Sequence, residues 1–218
     1  METRRNSGFS LVEVVFSIAT SVAVLGSALL MTISLSRSTG QLRASDDLFG
    51  DVRRAVHKIS DVLEPTVAAL ANPAVLSPLH TSWLQVQAPP DLATGVPGAI
   101  HVIRREPSPS DPDDGVDNDG NGLIDEGLVV WIRNPGDPDE ERIVLCRDVS
   151  ESLEGEVPGN GLDDNGNDLI DEGGLAFDFP PGFPLDRSFV RIQLSLSRLD
   201  REGRPMTVSA QRVVSFMN

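Results

Sequence analysis

A single cysteine, Cys146, occurs in 218 residues, so no disulfide can form within the chain. It sits in a strand-like run and reads as a small buried apolar residue. Tyrosine is absent, and two tryptophans, Trp83 and Trp131, are too few for a sugar-binding platform. They read as core or interface aromatics. His57, His80 and His101 are isolated, without a neighbouring ligand or triad pattern. There is no Gly-x-Ser-x-Gly, no phosphate loop and no Cys-x-x-Cys. Catalysis therefore has no support, and the expectation is a protein that is not an enzyme. Positive charge is scarce: 18 Lys and Arg stand against 33 Asp and Glu, for a net charge of −15. That argues against nucleic acid as a partner. The acids are also localised, with 21 of them between Glu106 and Glu172 beside only three arginines.

Charge is missing altogether from residues 14–36, a run of 23 positions between Glu13 and Arg37. At the helical rise this spans about 34 Å, enough to cross a bilayer core. No proline interrupts residues 9–64, and Gly26 is the one weak point within the apolar run. Arg4 and Arg5 precede the run and predict a cytoplasmic N-terminus, with the chain beyond about residue 37 across the membrane. An ordinary signal peptide has a shorter apolar region and a cleavage site after it. Here the small residue that suits a narrow protease cleft, Gly8, lies before the apolar run.

Gly8-Phe9-Ser10-Leu11-Val12-Glu13 resembles the class III leader of type IV pilins and type II secretion pseudopilins. The resemblance implies a leader over residues 1–8, cut between Gly8 and Phe9 by a membrane-embedded prepilin peptidase that also methylates the new Phe9 amine. It implies that Glu13 pairs with the amino terminus of a neighbouring subunit as helices bundle in a filament. A carboxylate inside an apolar helix costs a few kcal/mol, about 3, and asks for such a role. The competing reading is that Glu13 lies near enough to the helix end to reach headgroups. The implied partners are other pilin or pseudopilin subunits, the inner-membrane assembly platform and membrane lipid.

Beyond the membrane segment of residues 9–36, an amphipathic continuation is expected over 37–64. Leu42, Phe49, Val52, Val56, Ile59 and Leu63 would form its apolar face, and Pro65 would end it near Glu64. A coiled coil or a plain juxtamembrane stalk is the competing reading. Residues 66–80 show no clear period and read as a loop with a short helix. Strand character follows at 83–88, 99–105, 128–133, 142–147, 175–179, 188–197 and 206–216. Val190–Leu196 alternates as a strand with one buried face. The expected fold class is α+β: a long N-terminal helix packed on an antiparallel sheet within a periplasmic domain over 65–218. Val190–Arg198, Gly203 and Val208–Asn218 are loosely similar to the ends of minor pilins and J-type minor pseudopilins, as is Leu48–Leu63.

The acidic middle contains a repeat. Residues 114–127 and 160–173 are identical at nine of fourteen positions at an offset of 46. Oxygen-bearing side chains alternate along each loop, as in a loop that wraps a hard cation. The acidic loops are bounded at 111–127 and 160–173. The first offers Asp117, Asp119, Asn121, the carbonyl of Leu123, Asp125 and Glu126. The second offers Asp163, Asn165, Asn167, the carbonyl of Leu169, Asp171 and Glu172. Both resemble EF-hand-like and thrombospondin-type calcium repeats. They depart in placing Glu126 and Glu172 two positions early and Asp168 where a turn glycine belongs. Calcium suits the all-oxygen set better than zinc or magnesium. A solvated acidic turn is the alternative. The two loops are expected to gather at one end of the sheet.

The sequence therefore predicts a minor pilin or pseudopilin, a structural subunit of a type IV pilus or type II secretion pseudopilus, held first in the inner membrane. The alternative is a membrane-tethered calcium-binding or adhesion module that does not polymerise.

Overall fold

The computed structural model describes residues 10–72, 80–179 and 189–216. Gly8 and Phe9 lie outside the described residues. The chain divides into two compact units, residues 1–43 and 44–218.

Helix α1 runs over Leu11–Leu63. Its start is fixed by a reciprocal cap: Ser10 N–H donates to Glu13 Oε2 at 3.0 Å, and Glu13 N–H donates to Ser10 Oγ at 3.3 Å. In the first unit the apolar side chains are exposed, from Leu11 and Phe16 to Met31 and Leu35. Among the described residues, none of this apolar stretch is buried. The helix is long and apolar enough to cross a membrane. Its hydroxyls turn inward on the backbone. Thr20 donates to the Phe16 carbonyl at 2.9 Å, Ser21 to Ser17 at 2.7 Å and Thr32 to Ala28 at 2.9 Å. These polar atoms need no solvent, which suits them to lipid.

In the second unit the helix buries Leu48, Val52, Ala55, Val56, Ile59 and Leu63 against the sheet. The expected face erred at its start. Leu42 belongs to the first unit and is exposed, and Phe49 is part-exposed beneath the Arg53 guanidinium, 4.4 Å away. Leu48, one turn before Val52, takes the buried place. Pro65 cannot continue the helix, and Thr66 Oγ1 caps the Leu63 carbonyl at 2.6 Å. Arg212 of the last strand bonds Glu64 at 3.0 Å and His57 at 2.7 Å, and Arg198 bonds Asp51 at 3.1 Å.

Eight antiparallel strands are described: β1 Val67–Asn72, β2 Trp83–Gln87, β3 Ile100–Pro107, β4 Gly127–Arg133, β5 Glu141–Val149, β6 Leu175–Asp178, β7 Phe189–Leu199 and β8 Pro205–Ser215. Their order is β1-β2-β3-β4-β5-β7-β6, and β8 pairs with β7. The architecture is the expected α+β arrangement. Strand β1 corrects the expected loop with a short helix. Its Ala-rich run carries no period of its own, and its pairing with β2, Val67 opposite Gln87, decides its conformation. The expected alternation of β7 holds only as far as Ile192. Gln193, Ser195 and Ser197 are buried as well. The second acidic segment lies on that face, where Asn167 donates to Gln193 at 3.1 Å and Glu154 N–H to Ser195 Oγ at 3.0 Å.

The core joins the helix face to Leu84, Val86, Ile103, Val129, Phe177, Ile192 and Leu194. Cys146 packs at its border, and burial pushes its thiol up to about 12. Trp131 donates to His101 Nδ1 at 2.9 Å and the rings stack, which gives both a structural place. Gly127 pairs with Pro107 on one side and Val149 on the other. The first acidic loop links β3 to β4 and the second links β5 to β6, so both leave the sheet at the same end.

Candidate functional site

The two loops share a backbone, not only a sequence. Gly115 and Gly161, Gly120 and Gly166, Gly122 and Asp168, and Asp125 and Asp171 are equivalent pairs, and all eight residues have positive φ. Asp168 holds a φ of 71° where the first loop has Gly122 at 86°. The second loop thus keeps its left-handed turn without glycine, since a short polar side chain tolerates that region.

The hydrogen bonds repeat with the backbone. Asp117 Oδ1 accepts from Gly120 N–H at 2.7 Å and Asn121 N–H at 3.1 Å. Asp163 Oδ1 accepts from Gly166 and Asn167 at the same two distances. The other oxygen accepts from Gly122 at 2.8 Å in the first loop and Asp168 at 3.0 Å in the second. Each aspartate is folded into a nest of its own loop's amides. Asp119 and Asn165 each accept from the asparagine two residues on, at 3.0 Å. Asn121 and Asn167 accept from Leu123 N–H and Leu169 N–H, both at 2.8 Å. Asp125 accepts from Asp114 and Gly115 N–H, and Asp171 from Asn160 and Gly161 N–H. These last two carboxylates clasp the start of each loop to its end.

Glu126 and Glu172 go elsewhere. Both are buried beneath their loops. Asn121 Nδ2 donates to Glu126 Oε1, while Asn165 and Asn167 donate to Glu172 Oε1 at 2.8 and 2.5 Å. The structure therefore brings together Asn121 with Glu126, and Asn165 and Asn167 with Glu172. Asp117, Asp119, Asp125, Asp163 and Asp171 are directed to backbone amides instead. Among the described residues, no group of three acidic, histidine or cysteine side chains is gathered closely enough to hold a metal. Leu169 anchors the second loop from below, packed with Leu153 and Ala176. Gly174 closes that loop against β5, and a Cβ there would press on the Ser150 carbonyl.

Two acids that sequence reading did not offer as ligands complete the picture. Asp111 Oδ2 accepts from Glu126 N–H at 3.2 Å, and Glu156 Oε1 accepts from Asp171 N–H at 3.2 Å. They occupy equivalent places: Asp111 N–H bonds the Ser108 carbonyl and Glu156 N–H bonds the Leu153 carbonyl, at 3.0 and 3.1 Å. Their spacing is 45 residues, one short of the repeat, so a comparison at a fixed offset passes over them. Burial raises Glu126, and the Asp111 carboxyl beside it adds to this against the Asn121 amide. Burial also raises Glu156, with the charges of Glu172 and Asp164 in support. Asp111 is lowered, chiefly by the Asn118 N–H. His80 is lowered by burial, opposed by Glu172, Asp178 and Asp171. A cavity of about 500 Å³ joins the two loop bases, lined by Arg105 and Asp113 from the first side, Glu151 and Gly173 from the second, and His80 and Trp83.

At the other end of the chain, Glu13 is satisfied by Ser10 in the helix cap. Comparisons with protein-family models, with curated proteins and with solved structures find no match.

Proposed function

We propose that this protein is a structural subunit of the minor pilin or pseudopilin kind, cut after Gly8 and assembled through its N-terminal helix. The observation that carries this reading is the exposed, uncharged stretch of residues 14–36 directly behind Glu13. These apolar side chains are exposed among the described residues, so lipid and then neighbouring helices are their natural surroundings. Prepilin peptidase and an inner-membrane platform are the partners this route requires, with the 44–218 unit on the periplasmic side. Calcium held by the acidic loops would offset the repulsion of their carboxylates and stiffen one end of the sheet.

A membrane-tethered module that never polymerises is favoured by one observation. Glu13 already has a partner in Ser10 N–H and needs no second subunit. Replacing Glu13 by Gln, Glu13→Gln, separates the two readings. Under the filament reading the variant stays in the membrane but disappears from filaments sheared from native cells. Equal amounts of variant and wild-type chain in that fraction, or neither chain there, would refute assembly through Glu13.

A further inference from the structure

Among the described residues, three carboxylate oxygens are buried without any hydrogen-bond partner: Glu126 Oε2, Glu156 Oε2 and Glu172 Oε2. Their residues are 5%, 7% and 1% exposed. An orphaned carboxylate oxygen out of water is costly, and two acids facing each other there cost more. Each of the three belongs to a pair. Glu126 lies against Asp111, which is fully buried, and Glu156 accepts from the N–H of Asp171, the residue next to Glu172, at 3.2 Å. The pairs are equivalent parts of a duplicated device. In both, the buried glutamate closes the loop, its carbonyl accepting from Ser108 or Leu153 N–H, at 3.2 and 3.4 Å. In both, an acid from before the sequence repeat accepts an N–H at the glutamate, Asp111 from Glu126 itself and Glu156 from Asp171 before Glu172. In both, an asparagine side chain of the loop rests on the same glutamate.

Among the described residues, no arginine or lysine bonds these four acids. The nearby cation of β7, Arg191, is engaged by Asp178 at 2.9 Å through both Nε and Nη2, and by the Asn167 carbonyl at 3.1 Å. The donors that remain are all oxygens, which selects a hard cation over zinc. We infer that each loop holds one calcium-type divalent cation against its buried carboxylate pair, Asp111 with Glu126 and Glu156 with Glu172. Asn121, and Asn165 or Asn167, supply neutral oxygens beside them once their amides turn. The inference rests on the reading that the loops bind calcium, and it moves the anionic ligands from the outer aspartates to the base of each loop. Asp117 and Asp163 then shape the loop by holding its amides, and Asp111 and Glu156 become ligands.

The test is calcium titration of the full chain in detergent, after chelator treatment, with calorimetric stoichiometry. Wild type takes up two ions per chain. Glu156→Gln, nearly isosteric, weakens binding at the second loop by at least about tenfold, the least expected for groups at a metal site. The first loop still takes its ion and so reports that the variant is folded. Asp111→Asn gives the mirror result. Two ions bound by Glu156→Gln with less than about a tenfold change would overturn the ligand assignment while leaving calcium loops standing. No calcium uptake by wild type would overturn both.

Discussion

Asp125 and Gly115 are locked together across the first acidic loop: both carboxylate oxygens of Asp125 accept from the Gly115 N–H, at 2.8 and 3.0 Å. Asp171 holds Gly161 in the same way, at 2.9 and 3.2 Å. The repeat therefore conserves a clasp that ties the two ends of each loop. Hydrogen bonds to a charged acceptor contribute more than neutral ones, so Asp125→Ala or Asp171→Ala should each cost about 2 kcal/mol. Thermal unfolding in detergent reads the cost. Hydrogen exchange at Gly115 and Gly161 reads the loss of the clasp, and protection unchanged there would contradict it.

Asp168 has the backbone of a glycine, with a φ of 71°. Asp168→Gly should match or exceed wild-type stability, by up to about 1 kcal/mol. Asp168→Val should lose about 2 kcal/mol, because a β-branched residue suits that region least. A valine variant as stable as the glycine variant would mean the turn relaxes freely.

Asp178 is fully buried and paired with Arg191, which also holds the Asn167 carbonyl. One ion pair thus fastens β6, β7 and the second loop. Removing one member leaves the other charge stranded, and Asp178→Ala should cost about 3–5 kcal/mol. The double variant with Arg191→Leu should recover part of that loss, which a double-mutant cycle by denaturant unfolding measures.

Much of this architecture was legible beforehand. The apolar run, the Pro65 stop and the strand-forming runs carry their own periodicities, so the helix and seven strands could be located from side-chain pattern alone. Strand β1 could not, because its pairing with β2 determines it. The buried helical stripe was misplaced at Leu42 and Phe49, since hydrophobicity does not say which turn meets the sheet. The repeat was plain, but not the direction of its side chains. Asp117 and Asp163 read as metal ligands by spacing, yet each bonds its own loop's amides. Asp111 and Glu156 were passed over because they precede the repeat at unequal spacing, Asp111 six residues before Asp117 and Glu156 seven before Asp163.

Glu106 joins the charges of two strands, accepting from Arg104 at 2.7 Å on its own strand and from Arg142 of β5 at 2.5 Å across β4. Burial pushes Glu106 up, but the two arginines outweigh it, and the carboxyl lies below its ordinary value. A lowered folded pKa adds stability above the ordinary carboxylate range, and that stability is lost as pH falls through the folded value. The arginines are nearly half exposed, so solvent screening limits Glu106→Gln to about 1 kcal/mol at neutral pH. Wild type and variant should converge in stability as the solution is acidified. A gap that persists at low pH would show that packing, not charge, is responsible.

The mass of the mature N-terminus, taken from native membranes, tests the proposed function most directly. The account predicts a chain beginning at N-methyl-Phe9. A chain that retains Met1 to Gly8 would contradict it, leaving the helix as an anchor and the acidic loops as the working part of the protein.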